Sequence, residues 1–466
     1  MFLLKPMLIR SDNKPGGRNH SLAFGQDLEE EISPELEEFM EQVAHGELNS
    51  AWDWQIPSKI IADLDEWRER FSEVQELLVS QDGERVAGIV KTDDDSLTVC
   101  VNGEPWTNTF EKAWALQFGP DDRLACIAMN DDEWTVFQEN EPWEERYDYV
   151  WNLRFSRDGS GVAANTRTSD GYSVVLNGET WVNRFIQARS CEISSDGLNS
   201  AGNVQIEPLS EGDIWKFSKG VWSLAVNGEV WDSRFLNVWD CAFSDDGTRV
   251  AAEVRLDPTG QTIAVDGRPW SETFKAVWKP LFVPGTHEVA APCLTSEGWK
   301  LLINGHPVWN KSFCQVWHQT FSPDGRRLAA IVAPTFGRWT VAVDGNLWKT
   351  TFGDVVLSPI FSSNGQRVAA VVKGNNRWTI AVDGIPWNED FDMIWDPVFS
   401  PDGENVAARA VRGNEFYMVM NGKVVSLGCA KLWDPVFSPD GSRLLIKAFE
   451  FGRLYRKIIT ISELIR

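Results

Sequence analysis

Phe399-Ser400-Pro401-Asp402-Gly403 has near-copies in Phe321-Ser322-Pro323-Asp324-Gly325 and Phe437-Ser438-Pro439-Asp440-Gly441. In each, proline presets φ at the first corner of a turn, aspartate can bond its own backbone, and glycine accepts the positive φ that ends it. A branched or long apolar residue and small residues follow, as in Val406-Ala407-Ala408, Leu328-Ala329-Ala330 and Val368-Ala369-Ala370. That composition suits a strand packed closely on both faces. Working outward, the turn recurs with last residues Gly83, Asp122, Gly159, Gly197, Gly247, Gly285, Gly325, Gly365, Gly403 and Gly441. The spacing stays close to 38 to 40 residues except for the 50 between Gly197 and Gly247, where Glu207-Pro208-Leu209-Ser210-Glu211-Gly212 reads as an inserted loop.

A second turn closes each unit: Asn102-Gly103, Asn177-Gly178, Asn227-Gly228, Asp266-Gly267, Asn304-Gly305, Asp344-Gly345, Asp383-Gly384 and Asn421-Gly422. Asn-Gly or Asp-Gly between apolar runs is the strongest short-range hairpin signal. Strand, turn, strand, loop, strand, turn, short strand at a fixed period describes a four-stranded propeller blade. The expected fold is all-β: a propeller of about ten such blades over residues 51–466, in one ring, with two five-bladed rings as the alternative. After Gly441 the chain ends one strand short, and Trp67 to Phe71 carries a fourth-strand pattern with no blade of its own. A strand near 64–71 is therefore expected to close the ring.

The 24 tryptophans follow the same period. Nine stand four residues before an aromatic, from Trp67/Phe71 and Trp106/Phe110 to Trp387/Phe391. Seven precede the apolar residue of the first turn by four (Trp114, Trp151, Trp239, Trp278, Trp317, Trp395, Trp433), and five open the third strand (Trp134, Trp222, Trp299, Trp339, Trp378). Only Trp52, Trp54 and Trp215 fall outside. A lone blade cannot bury either apolar face, and an indole covers on the order of 200 Å². The periodic tryptophans are read as wedges between blades rather than as an electron-hopping or sugar-stacking array.

Charge narrows the function. With 44 Lys plus Arg against 68 Asp plus Glu, the net charge is −24, without a basic block. Nucleic acid and anionic lipid both demand the opposite sign. No apolar stretch is long enough to cross a bilayer, and Met1-Phe2-Leu3-Leu4-Lys5-Pro6 is broken before it forms a secretory signal. These features lead to the expectation of a cytoplasmic protein without membrane insertion. The seven cysteines are scattered singly, with no C-x-x-C pair, and read as core residues. Five histidines (His20, His45, His287, His306, His318) show no metal-pair spacing, and no nucleophile elbow, phosphate loop or dinucleotide fingerprint occurs. The repeated aspartates of the first turn, one per blade beside glycine, read as turn residues rather than calcium ligands. No catalytic residue, cofactor or metal site is expected.

Residues 1–50 differ from the rest. Lys5, Arg10, Lys14 and Arg18 lie in a Gly/Pro/Asn setting read as a flexible arm, and an acidic helix is expected from Ser33 to Gly46. Leu36, Phe39, Met40 and Val43 share one face of that helix. They either cap the propeller or contact a partner.

The Phe-Ser-Pro-Asp-Gly turn followed by a small apolar strand resembles the WD-repeat-like propeller repeat of the TolB type, from about Trp67 to the C-terminus. The eukaryotic Gly-His and Trp-Asp signatures are missing, so the resemblance implies architecture and no site residue. The tryptophan-rich, acidic, cofactor-free propeller is also similar to the cytoplasmic tryptophan-rich subunits of the Tmc transmembrane electron-transfer complexes of sulfate-reducing bacteria. That resemblance implies a non-catalytic scaffold beside iron-sulfur and cytochrome-bearing membrane subunits. The alternatives are a propeller-type hydrolase or lactonase, which needs His and carboxylates at the pore, and a TolB-like envelope binding protein, against which the missing signal argues.

Overall fold

The computed structural model describes residues 51–93 and 95–465. The strands form ten antiparallel sheets, each of four strands in chain order; in several the first strand is split in two. In order, blades 1 to 9 span residues 73–105, 112–142, 149–180, 187–230, 237–269, 281–307, 315–347, 355–386 and 393–426. Blade 10 is residues 431–460 with 58–63 added. The all-β, ten-bladed propeller expected from the repeats is the observed architecture.

Both turns work as their residues suggest. Asn102, Asn177, Asp266, Asp344 and Asp383 sit at φ near +50° and their glycine partners at +74° to +90°, the left-handed pair that a two-residue hairpin requires. The side chain then serves the neighbouring strand: Asn102 Oδ1 accepts from Val86 N at 2.7 Å and Asp344 Oδ1 from Leu328 N at 2.9 Å. Blade 2 uses Glu139-Asn140 instead. Their φ values of 46° and 73° and the bond from Leu124 N to Glu139 Oε1 reproduce the same device without a glycine. In the first turn the buried serine anchors the aspartate; Ser322 Oγ donates to Asp324 Oδ1 at 2.6 Å and accepts from Arg327 N at 2.9 Å. Because the strands alternate in direction, both kinds of turn fall at one end of every blade. The loops between second and third strands, and the connectors between blades, fall at the other end.

Blades are joined by apolar clusters, one at each of the ten junctions. Between blades 2 and 3, for example, Ala125, Ile127 and Val136 meet Val150, Val162, Ala164 and Val175, with Trp143 and Tyr147 between them. Seven of the nine connector tryptophans have a repeated seat, leaning on the hairpin glycine of the next blade; Trp106 faces the glycine-free Glu139-Asn140 turn, and Gly305 opposite Trp270 has nothing within 4 Å. A Cβ on Gly178 would come 3.5 Å from Trp143, one on Gly267 3.2 Å from Trp231, and one on Gly384 2.9 Å from Trp348. Of the 24 tryptophans, Trp215 alone is exposed; none of the 21 periodic ones is. The wedge reading holds for the 18 periodic indoles that lie in the junction clusters; Trp151, Trp239 and Trp395 are half-buried and belong to none of those clusters.

Closure differs from expectation in its position. The fourth strand of blade 10 is Ser58–Asp63, paired antiparallel to Arg453–Thr460, while 64–71, expected as that strand, forms helix α1, Leu64–Arg70. Asp63 causes the change: its carboxylate accepts from Asp65 N and Glu66 N as an N-cap, ahead of residues that favour helix. Trp67 keeps its repeat role despite the new conformation. It is 2% exposed, and its Nε1 lies 3.4 Å from where a Gly103 Cβ would sit. The cluster that contains Trp433, Leu454, Ala62, Val79 and Val86 seals blade 10 onto blade 1, so the ten junctions form one unbroken circuit and not two five-bladed ones.

Candidate interaction surface at the rim of blade 4

The expected partner contacts Leu36, Phe39, Met40 and Val43 lie outside the described residues. Within them, no group of three or more His, Cys, Asp or Glu is placed to hold a metal ion, and the repeated aspartates are engaged in their turns. Six cysteines are buried as expected, and burial pushes the Cys100 and Cys191 thiols up to about 12. Cys314 is the exception, exposed on a connector. No helix of the described residues is long and apolar enough to cross a membrane.

The ring is drawn in at its centre. First strands of blades 1, 2, 3, 9 and 10, with Lys447 from the second strand of blade 10, line a cavity of about 540 Å³ that includes Leu78, Gln117, Leu153, Val398 and Val436. On the other side Lys279 of blade 6 reaches past blade 5 to Glu192 of blade 4 at 3.1 Å. Lys447 is fully engaged in structure: its Nζ donates to the carbonyls of Ser80 and Gln81, each at 3.2 Å. Burial pushes its pKa down to about 8. Beside it Arg456, 1% exposed, donates to Asp82 O at 2.8 Å and pairs with Glu84 at 3.1 Å. These buried cations clasp the closing seam. Sequence reasoning missed them because lysine and arginine in a strand carry no local sign of what another blade will place opposite.

The feature that the fold leaves unused is the insertion. Elsewhere the loop between second and third strands is short, but in blade 4 it runs from 206 to 221. Its base is closed by Ile206 N donating to Val221 O at 2.9 Å and by the ion pair of Arg234 with Glu207. Inside it, Asp213 caps helix α2, Ile214–Lys219, and the chain turns back at Gly220, whose φ of 81° and missing Cβ allow contact with the Phe235 backbone. Helix α2 buries none of its residues. Ile214 is 76% and Trp215 80% exposed, with Phe217 and Leu209 also open. Next to the loop base, an open cleft of about 580 Å³ is lined by Phe185, Ile186, Ile206, Val230 and Arg184 among others. Exposed Val182 and Ile186 extend the apolar rim. The outlying position of Trp215 in the tryptophan pattern was the sequence signal for this surface.

No protein-family model and no curated protein matches the chain. Among solved structures it is similar to the Dos1 propeller, at 10% identity and a TM-score of 0.35, covering 86% of this chain and 94% of that one. The propeller assignment here rests on the ten sheets themselves.

Proposed function

We propose that this protein is a non-catalytic docking scaffold whose ring presents the blade 4 rim to protein partners. The observation that carries the reading is Trp215, an indole held out by a pinned loop in a molecule that packs every other tryptophan. Contiguous exposed apolar surface of this kind marks interaction sites, and tryptophan dominates the energetic centres of interfaces. Together with the resemblance in tryptophan content and repeat type, it supports a scaffold subunit of a membrane-associated electron-transfer complex on the cytoplasmic side. Such a subunit would sit beside iron-sulfur and cytochrome-bearing partners and carry no cofactor of its own. Affinity purification from native membranes tests this. Wild type should bring down subunits with iron-sulfur and haem absorbance, and Trp215→Ala should lose them while its unfolding midpoint is unchanged. A purified protein that is itself coloured and redox-active, or that turns over a glycoside or lactone, would refute the reading.

A further inference from the structure

We infer that the blade 4 rim is the seat for the acidic segment 27–45 of a second copy of this chain. The inference rests on the rim being a docking surface and names an occupant that competes there with the membrane subunits. Two kinds of complementarity support it. Segment 27–45 contains Asp27, Glu29, Glu30, Glu31, Glu35, Glu37, Glu38 and Glu41 and no Lys or Arg, with Leu36, Phe39, Met40 and Val43 at helical spacing. The rim offers the counterpart: Ile214, Trp215 and Phe217 exposed, flanked by Arg184, Arg189, Lys216 and Lys219. Among the described residues none of those four cations is in an ion pair. Arg184 donates to the Val182 carbonyl, Lys216 to the Pro208 carbonyl, and Arg189 lies 3.6 Å over the Trp222 ring. Carboxylates at the rim outside ion pairs are Asp170, Glu211, Asp213 and Glu229, so against the four cations the rim is about neutral on a chain of net charge −24. It is a place where an acidic amphipathic segment meets little repulsion.

Reach makes the donor a second copy. Asp53 is fixed at the turn end of blade 10, where its carbonyl accepts from Arg456. The nine residues between Val43 and Asp53 span at most about 35 Å when fully extended. The blade 4 loop lies four junctions away and at the opposite end of the sheets, and packed sheets are about 10 Å apart at each junction. The segment falls short of its own rim. Each copy therefore gives one segment and accepts another, a contact that closes as a reciprocal pair or continues head to tail.

Sedimentation of the full chain over a concentration series tests this with two variants. The loop variant is Trp215→Ala with Lys219→Glu; the segment variant is Leu36→Asp with Phe39→Asp. Wild type should associate into pairs or larger assemblies as concentration rises, at least tenfold more weakly in high salt. Each variant alone should remain a single copy, and an equimolar mixture should form a one-to-one pair and nothing larger, since each retains the half the other lacks. Unchanged unfolding midpoints exclude a folding defect. Wild type that is a single copy at every concentration, or association that survives both variants, overturns the inference. In either case a loop variant that still loses its captured membrane subunits leaves the docking reading standing, so the two fail separately.

Discussion

Gly384→Ala and Gly305→Ala differ in one respect that isolates the contact between blades. Both glycines end an Asx-Gly hairpin, at φ +82° and +83°, so either alanine incurs the left-handed penalty of about 1 to 2 kcal/mol. At Gly305 nothing lies within 4 Å of the new methyl. At Gly384 it would meet Trp348 at 2.9 Å from Cγ, 3.0 Å from Cβ and 3.1 Å from Cδ1. All three are fixed parts of the side chain, so either the indole or the hairpin must move. Overpacking of this sort costs about 1 to 3 kcal/mol more. Gly305→Ala should therefore lower stability by about 1 to 2 kcal/mol and Gly384→Ala by about 2 to 5 kcal/mol. Urea unfolding followed by circular dichroism gives the difference, provided both variants share the wild-type slope. In the background Trp348→Gly, which removes all three obstructing atoms, the two alanines should cost the same. Equal costs in the wild-type background would refute the seating of connector tryptophans on the next hairpin.

Removing the Arg456 side chain breaks the closing clasp and takes the donor from the carbonyls of Asp82 and Asp53, while Glu84 keeps its pair with Lys59. Arg456→Ala should destabilise by about 1.5 to 3 kcal/mol, the range for losing hydrogen bonds from a charged group, and release strand 58–63 first, read as early proteolysis and hydrogen exchange there. Two desolvated groups, half-buried Asp122 and buried Lys447, give the pH profile its shape. Asp122 is pushed up to about 6 by burial and the neighbouring Asp82, so the unfolded chain gives up that proton first and stability falls as pH rises from about 4 to 6. Lys447, pushed down to about 8 by burial, makes the unfolded chain bind the extra proton between about 8 and 10.5, so stability rises there by up to about 1.4 kcal/mol per pH unit. Lys447→Met should flatten that alkaline rise in thermal melts. A thiol reagent on the native protein should modify Cys314 alone, with the other cysteines reacting only after unfolding.

Much of the ring was legible because its determinants are local. Asx-Gly hairpins and Ser-x-Asp-Gly turns are written in two to four residues, and their period gave ten blades and the expectation of a shared closing blade. Trp67 misled about where that strand lies. Its spacing from Phe71 is that of the strand-exit pattern, yet Asp63 caps a helix and shifts the paired strand to Ser58–Asp63, which contains neither tryptophan nor turn. The Lys447 and Arg456 clasp was illegible since it depends on which residues the first blade presents to the last. For the candidate surface, the sequence marked the insertion and the odd position of Trp215. It did not say that helix α2 would turn all its apolar residues to solvent, because that follows from a loop base pinned by Ile206, Val221 and Arg234.

A photo-reactive residue placed at position 215 in the native host tests the docking account most directly, with position 336, a fully exposed phenylalanine on a different blade, as control. Adducts that form at 215 and map to protein, and that are absent at 336, are the expected result. Equal labelling at the two positions, or an adduct at 215 that contains no protein, contradicts it.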